Sequence, residues 1–279
     1  MFLILLPNEF YYKSSNQTLS KYTMTTYYNF EHSTKTKVVG SAPWGQLELL
    51  QPLNFNSMQQ LFNQLPKQSE FRLKGNSRLT DLLYCLNIST INNFIVSSKM
   101  YSILKKFNIQ EHQWASCTIR KKDKTWDYHL LRFAQPRDNK RRPQLCCPEM
   151  VDWKNSVFFE DSYARFGGIK GNEPILKIDS YDDYLKVLAE YNRKFDEHEN
   201  IDLAIGVMKF AFNEEYLEKN NPDMCWLYPL HSNPLISERL KTALGENDIT
   251  SVETMEINSY LCRNDAEVLG NIFKELGVR

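Results

Sequence analysis

Two adjacent cysteines are the residues whose type and setting could most directly support catalysis. Cys146 and Cys147 lie in the segment 135–148, which also contains three prolines and a run of basic residues between positions 137 and 142. Nearby positive charge lowers the pKa of a thiol, and the thiolate is the nucleophilic form of cysteine. A cysteine nucleophile also needs a general base, and the sequence indicates none. Two interpretations therefore stay open, a cysteine-based enzyme site and two ordinary loop cysteines.

The other chemically capable residues form weaker patterns. Glu197, Glu199 and Asp202 could form a carboxylate cluster, although the end of a helix and a solvated loop would give the same spacing. Gly167, Gly168 and Gly171 could expose backbone N–H groups to an anion, but the strand-to-helix context of a phosphate loop is missing. The histidines and cysteines do not recur at metal-ligand spacing. We therefore expect no cofactor and no metal.

Charge is balanced in total and uneven along the chain. The 34 Lys and Arg residues equal the 34 Asp and Glu residues, whereas a dedicated nucleic-acid-binding protein is normally basic. The neutral total argues against nucleic acid as the main partner. Residues 120–142 are nevertheless rich in Lys and Arg, so that nucleic-acid binding through this region stays an alternative. Residues 179–202 are correspondingly rich in Asp and Glu.

The acidic segment has the pattern of an amphipathic helix. Ser180 and Asp183 resemble the start of a capping box, in which each side chain satisfies a backbone N–H of the first turn. The residues predicted to form the inward apolar face are Tyr184, Leu185, Leu188, Tyr191 and Phe195. The residues predicted to point outward, and to be candidates for binding a partner, are Asp182, Asp183, Glu190 and Glu197.

A second pattern is an internal repeat. The stretch from Asn93 to Ile109 aligns without a gap with the stretch from Asn233 to Ile249. In each copy a short apolar run leads to a serine, Ser97 or Ser237, and apolar residues follow at helical spacing. A serine at this place accepts a hydrogen bond from the first helical turn. The repeat predicts a strand, capped helix, strand unit used twice, with both serines at N-caps.

The remaining elements indicate the fold class. Trp114–Ile119 and Trp126–Phe133 alternate in polarity around a charged turn, which predicts a β-hairpin. We also predict a short apolar helix over Leu79–Leu86, a first strand over Phe2–Leu6 and a last helix that begins at Asn264. Strands and helices mix without a regular β-α-β rhythm. This favours an α+β fold, with a largely antiparallel sheet and flanking helices.

The chain can be divided into two related lobes. The glycines at 167–171 are the best candidate boundary, which gives an N-terminal lobe over 1–166 and a C-terminal lobe over 167–279. One compact domain is the alternative. The apolar run Met1–Leu6 is too short for a signal peptide or a membrane span, so we expect no membrane partner and a cytoplasmic protein with reduced thiols.

Three short motifs occur in an order that is familiar: IVSSKM at 95–100, VDWKNSVF at 151–158 and LISERL at 235–240. Over residues 78–257 the chain resembles a family of immunity proteins from bacterial polymorphic toxin systems. The resemblance implies a binding protein, not an enzyme, that blocks a cognate toxin by tight association in the cytoplasm. It supplies no catalytic residues. Asp152, Trp153 and Ser156 of the second motif could be structural or could contact the partner.

If such a toxin has a basic active site, the acidic helix is the better candidate surface, because complementary charge speeds encounter and sets orientation. If the toxin surface is acidic, the hairpin tip with Lys121, Lys122 and Lys124 takes that role. Both surfaces could also be ordinary solvated faces. The sequence does not identify the toxin.

Overall fold

A computed structural model of the chain describes residues 26–40, 45–50, 68–85, 93–136, 144–161, 174–197, 204–231 and 233–257. The predicted first strand at Phe2–Leu6, the boundary glycines at 167–171 and the last helix from Asn264 lie outside these ranges. Glu199 and Asp202 of the predicted carboxylate cluster also lie outside them.

The described residues form thirteen strands and five α-helices. The strands are β1 (Tyr27–His32), β2 (Leu47–Leu49), β3 (Gln68–Leu73), β4 (Leu82–Leu83), β5 (Asn93–Ser97), β6 (His112–Lys121), β7 (Lys124–Phe133), β8 (Val157–Asp161), β9 (Ile175–Leu176), β10 (Ala204–Lys209), β11 (Met224–Cys225), β12 (Leu235–Ser237) and β13 (Val252–Glu256). The helices are α1 (Thr36–Val39), α2 (Ser98–Leu104), α3 (Tyr181–Glu197), α4 (Glu214–Asn220) and α5 (Glu238–Glu246), and Pro148–Met150 forms one 3-10 turn.

Three sheets organise these elements. The six-stranded sheet has the order β2-β3-β6-β7-β5-β4, the four-stranded sheet β11-β12-β1-β13, and the three-stranded sheet β10-β8-β9. Every pair is antiparallel except β3 with β6. The predicted α+β class, with a largely antiparallel sheet and flanking helices, is confirmed. Two sheets combine strands from both sides of the predicted boundary at 166/167, because β1 pairs with β12 and β13, and β8 pairs with β10.

The structure bears out one local prediction and overturns another. The hairpin is present as β6 and β7, ten residues each, joined by Lys122 and Asp123. The helix predicted over Leu79–Leu86 is wrong, since Leu82 and Leu83 form β4 and pair with Val96 and Ile95. A short apolar run fits a buried strand as well as a helix. Here the run forms a strand because the edge of β5 is available for pairing.

The two repeat copies fold alike. In the first unit, β4 and β5 pair, α2 follows, and the strands lie in the order β4-β5-β7-β6. In the second unit, β11 and β12 pair, α5 follows, and the order is β11-β12-β1-β13. The third place in the order is therefore occupied by β7 in the first unit. In the second unit it is occupied by β1, from the other end of the described chain.

The strand that completes each unit carries the same tyrosine contact. Tyr128 of β7 lies opposite Ser97 and donates its hydroxyl to the Thr80 carbonyl at 2.8 Å. Tyr27 of β1 lies opposite Ser237 and donates its hydroxyl to the Pro222 carbonyl, also at 2.8 Å. Burial raises the pKa of both phenols well above the ordinary value. β1 is thus the structural counterpart of β7.

An aspartate fastens each unit to the other. Asp223, in the second unit, accepts hydrogen bonds from the Asn108 backbone N–H of the first unit at 2.8 Å and from the Ser237 hydroxyl at 2.8 Å. Asp81, in the first unit, accepts from the Thr250 backbone N–H of the second unit at 2.9 Å and from the Ser97 hydroxyl at 2.5 Å. The two contacts are reciprocal, as in a pseudo-symmetric pair.

Ser97 and Ser237 stand at the N-caps of α2 and α5, as the sequence predicts, and accept from the N–H groups of Met100 and Leu240. Because each serine also donates to an aspartate, its replacement by alanine should cost about 1–2 kcal/mol of unfolding free energy, the upper part of the range for caps. Urea unfolding measures this. Ser102→Ala in α2, whose exposed hydroxyl donates to the Ser98 carbonyl of the same helix, is the control and should change little. Equal effects at all three serines would contradict the capping role.

Candidate interaction surfaces

The acidic helix α3 is held to the protein by an aromatic cluster. Tyr184 and Tyr191 are buried, and Tyr191 donates its hydroxyl to Glu160 of β8 at 2.9 Å. Trp153 lies 5.5 Å from Tyr184 and 5.8 Å from Tyr181, measured between ring centroids. The indole therefore joins the second motif of the resemblance to the first turn of α3, and the helix is fixed in orientation by large rigid side chains.

The predicted partner-binding carboxylates lie on this helix with different exposure. Asp182, Glu190 and Glu197 are exposed, as the sequence predicts. Asp183 is half-buried instead, because it contacts the capping residue: Ser180 donates its hydroxyl to the Asp183 carboxylate at 2.8 Å and accepts from the Asp183 backbone N–H at 3.2 Å. The hydrogen bonds from Ser180 and Lys186 lower the pKa of Asp183.

Basic residues of the same helix partly neutralise these carboxylates. Lys186 pairs with Asp183 at 3.0 Å, Lys194 with Glu190 at 2.8 Å, and Arg193 with Glu197 at 2.7 Å. These ion pairs are solvent-exposed, so each contributes little to stability. α3 keeps a net negative charge, because five acidic residues stand against three basic ones.

Phe195 departs from the sequence prediction. Its position predicts an inward-facing side chain, but 44% of its surface is exposed. The buried contacts of α3 end at Tyr191, so its last turn extends past the covered part of the helix. An exposed phenylalanine therefore lies at the C-terminal end of α3, on a different side of the helix from Glu190 and Glu197. Helical spacing alone does not show where the packing partner of a helix ends.

The second motif has a structural role in the part of the chain that the structure describes. Asp152 accepts from the Asn155 backbone N–H at 3.2 Å, and its own carbonyl accepts from the Ser156 N–H at 3.0 Å. The Ser156 hydroxyl accepts from the Ala211 N–H at 3.0 Å. Trp153 donates its indole N–H to the Pro148 carbonyl at 3.1 Å. The motif is a closed turn that supports α3.

The adjacent cysteines line a cleft of about 700 Å³ between the start of β6, the end of β7 and α4. A basic loop would lower the pKa of these thiols, but burial acts in the opposite direction. Burial raises the pKa of Cys146 to about 11 and, with the charge of Glu149 as a smaller contribution, that of Cys147 to about 12. Cys225 lines the same cleft, and burial raises its pKa as well. Thiols of this kind are poorly nucleophilic at neutral pH.

Some basic residues at the hairpin tip already contact other parts of the protein. Lys121 donates to the Ser77 carbonyl at 3.0 Å, and Arg120 pairs with Glu70 of β3 at 2.7 Å. Lys122 and Lys124 remain exposed at the turn.

A further surface, which the sequence did not single out as a candidate, is an aromatic strip beside α2. It consists of Tyr101, His112, Trp114 and His129, all of them half-buried. Tyr101 stacks on His129 with ring centroids 3.8 Å apart, and Trp114 meets Tyr101 edge-on at 4.7 Å. Its members come from a helix and two strands, so only the register of the hairpin against α2 brings them together.

No cluster of three or more His, Cys, Asp or Glu side chains suited to a metal occurs among the described residues. The helices within the described ranges are also too short or too polar to cross a membrane. Compared with models of known protein families and with curated proteins, the chain matches none.

Proposed function

We propose that this chain is an immunity protein that binds and neutralises a cognate bacterial toxin in the cytoplasm, without catalysing a reaction itself. The proposal comes from the order of the three sequence motifs. The structural observation that supports it best is the outer face of α3, which exposes Asp182, Glu190 and Glu197, while the last turn of the helix exposes Phe195 on a different side. Charged groups that steer a partner and an exposed aromatic ring that packs against it are both common in protein interfaces.

The proposed partner surface is basic, such as the cleft of an enzyme that acts on phosphate groups. Acidic side chains on a rigid helix attract such a cleft over distance and set its orientation on arrival. The aromatic packing of Trp153, Tyr184 and Tyr191 supports this role, because a surface that is already ordered loses less entropy on binding.

Co-expression tests the function. The protein encoded by the adjacent gene should inhibit growth when produced alone in the cytoplasm. Growth should recover when this chain is produced with it, and the two should co-purify. If the chain neither protects nor binds that protein, the proposed function is wrong.

Charge reversal tests the surface. The variant Asp182→Lys, Glu190→Lys and Glu197→Lys should slow association with the toxin about tenfold at low salt and flatten its salt dependence. Asp183 is left in place because its carboxylate accepts a hydrogen bond from the capping hydroxyl of Ser180. The matched control reverses three exposed glutamates elsewhere, Glu218, Glu246 and Glu256, with the same change in net charge. Stopped-flow fluorescence gives the rates, and equal slowing by both triple variants would exclude α3 as the specific surface.

Phe195→Ala tests the proposed anchor. Truncation of an interface anchor typically costs 2 kcal/mol or more, so we expect toxin affinity to fall about thirtyfold, mainly through faster dissociation. The control is Met255→Ala on β13, which removes a side chain that is 61% exposed and lies outside α3. Surface plasmon resonance compares the two variants, and an unchanged dissociation rate for Phe195→Ala would remove this residue from the interface.

A further inference from the structure

The side chain of Gln46 joins the six-stranded sheet to β1 of the four-stranded sheet. Gln46 is fully buried and precedes β2, and its amide nitrogen donates to the Arg78 carbonyl at 2.8 Å. Its amide oxygen accepts from the Tyr84 backbone N–H at 3.3 Å and from Nε2 of His32, the last residue of β1, at 2.7 Å. His32 therefore supplies a hydrogen bond that ties the two sheets together at a buried amide.

These contacts fix the position of the proton on the neutral His32 ring. The Arg78 carbonyl can only accept, so the nitrogen of the Gln46 amide faces it and the oxygen faces His32. An amide oxygen also only accepts, so Nε2 of His32 carries the hydrogen. The Ser251 hydroxyl oxygen lies 3.1 Å from the same nitrogen and shares this donor. The neutral ring thus has its proton on Nε2 and none on Nδ1.

A second proton on this ring would gain no hydrogen bond within the described part of the chain. It would bind at Nδ1, and no described residue bonds that atom. The ring is half-buried and packs against Tyr84, with ring centroids 5.5 Å apart. Burial of this kind penalises the charged form of an imidazole, so the site favours the neutral ring.

The charged groups around His32 do not reverse this preference. Glu253 of β13 is an acidic neighbour, but the Ser33 hydroxyl already donates to it at 2.5 Å and Lys35 pairs with it at 3.2 Å. The Tyr84 phenol is a further titratable group, on the side of the six-stranded sheet. Burial lowers the pKa of His32 below 6.5, and the hydrogen bond to Gln46 and the charge of Glu253 offset this only in part.

The internal repeat shows that the fold does not require a histidine at this position. Tyr27 of β1 corresponds to Tyr128 of β7, so His32 corresponds to Phe133, five residues further along in each strand. Both residues lie opposite the first residue of the next strand in the sheet. Phe133 is fully buried. The first unit therefore fills this position with a ring that cannot titrate, whereas the second unit has one that can.

We propose that His32 is a pH-sensitive switch at the contact between the four-stranded and six-stranded sheets. At neutral pH the uncharged ring donates to Gln46 and holds the contact closed. In mildly acidic solution the ring gains a second proton and turns toward solvent, where its charge is hydrated, and the buried amide loses this donor. The switch needs no partner, so its test does not depend on the proposed function.

The direction of the effect with pH follows from proton linkage. The pKa of His32 is lower in the folded chain than the ordinary value of 6.5, so the opened or unfolded state binds more protons just below pH 6.5. The contribution of His32 to stability is therefore complete above pH 6.5 and is lost as the pH falls through the folded-state pKa. Each unit of difference in pKa changes the opening equilibrium about tenfold.

Hydrogen exchange at the Tyr84 backbone N–H measures the switch, because that N–H donates to Gln46. After correction for the intrinsic pH dependence of exchange, opening at Tyr84 in the wild type should rise about tenfold between about pH 7 and about pH 5. His32→Gln keeps an amide donor for Gln46 but cannot titrate, so this variant should show no such rise. The same rise in His32→Gln as in the wild type would overturn the inference.

His129→Gln is the matched control. Burial also lowers the pKa of His129, but its ring stacks on Tyr101 rather than bonding Gln46. This variant should keep the wild-type rise in exchange at Tyr84, and loss of the rise in both variants would contradict a specific role for His32.

The wild-type chain provides a second test that does not depend on how any variant folds. In NMR spectra the ring of His32 should titrate below pH 6.5, starting from the form protonated on Nε2. Titration at or above pH 6.5, or a neutral ring protonated on Nδ1, would show that the switch is wrong.

Discussion

Replacing Asp223 with alanine should lower the free energy of unfolding by about 3 kcal/mol, because it removes a buried carboxylate that holds the two units together. The side chain is 0% exposed and accepts from the Asn108 N–H, the Ser237 hydroxyl and the Arg239 guanidinium. Hydrogen bonds to a charged group are the stronger kind, and their loss leaves buried donors without an acceptor. Urea unfolding at neutral pH measures the loss.

The repeat again offers the comparison. Asp81→Ala removes the equivalent carboxylate, which is half-buried and whose partners among the described residues are Ser97 and Thr250 rather than an arginine. Its replacement should cost clearly less, about 1–2 kcal/mol. A larger loss for Asp81→Ala than for Asp223→Ala would show that burial does not govern the strength of these contacts.

Acid should remove the same stabilisation. Burial by itself would raise the pKa of the Asp223 carboxyl, but the hydrogen bonds from Arg239, Asn108 and Ser237 outweigh it and hold the pKa below 3.8. At acidic pH the unfolded chain then binds more protons than the folded one. The contribution of Asp223 to the free energy of unfolding is therefore complete above pH 3.8 and falls as the pH drops below it. The difference between wild type and Asp223→Ala should therefore shrink below pH 3.8. A difference that stays constant with pH would contradict this account.

Gly206→Ala should strongly destabilise the three-stranded sheet. Gly206 of β10 lies opposite Phe159 of β8, and an added Cβ would come within 2.3 Å of the Phe159 ring. Phe159 is only 3% exposed, so the ring cannot swing into solvent without opening the core. Overpacking of this kind typically costs 1–3 kcal/mol, and we expect about 3 kcal/mol because the contact involves a whole ring.

Gly245→Ala is the control for this change. Gly245 lies in α5, and an added Cβ would meet nothing within 4 Å. Alanine is the better helix former by roughly 0.8–1 kcal/mol, so this variant should gain stability or stay unchanged. Thermal unfolding should thus move in opposite directions for the two glycines, and a parallel shift would refute the steric explanation. Because α3 packs on the three-stranded sheet, Gly206→Ala should also weaken the toxin binding that we propose for that helix.

The sequence by itself determined the local features. Both capped helices, their serines and the strands around them follow from short-range rules, because a hydroxyl at the N-cap and apolar residues at helical spacing act within a few positions of the chain. The hairpin and the start of α3 are of the same kind. The predicted exposure of Asp182, Glu190 and Glu197 agrees with the structure because it depends only on the face of one helix.

Only the tertiary structure decided which segments meet. No local rule indicates that Tyr27 of β1 takes the place in the second unit that Tyr128 of β7 has in the first. A strand pairs with any edge that offers matching hydrogen bonds and a core to cover. The exposure of Phe195 and the raised thiol pKa of Cys146 have the same origin. Each depends on burial by segments distant in sequence, and burial is a property of the assembled fold that the neighbours of a residue along the chain do not set.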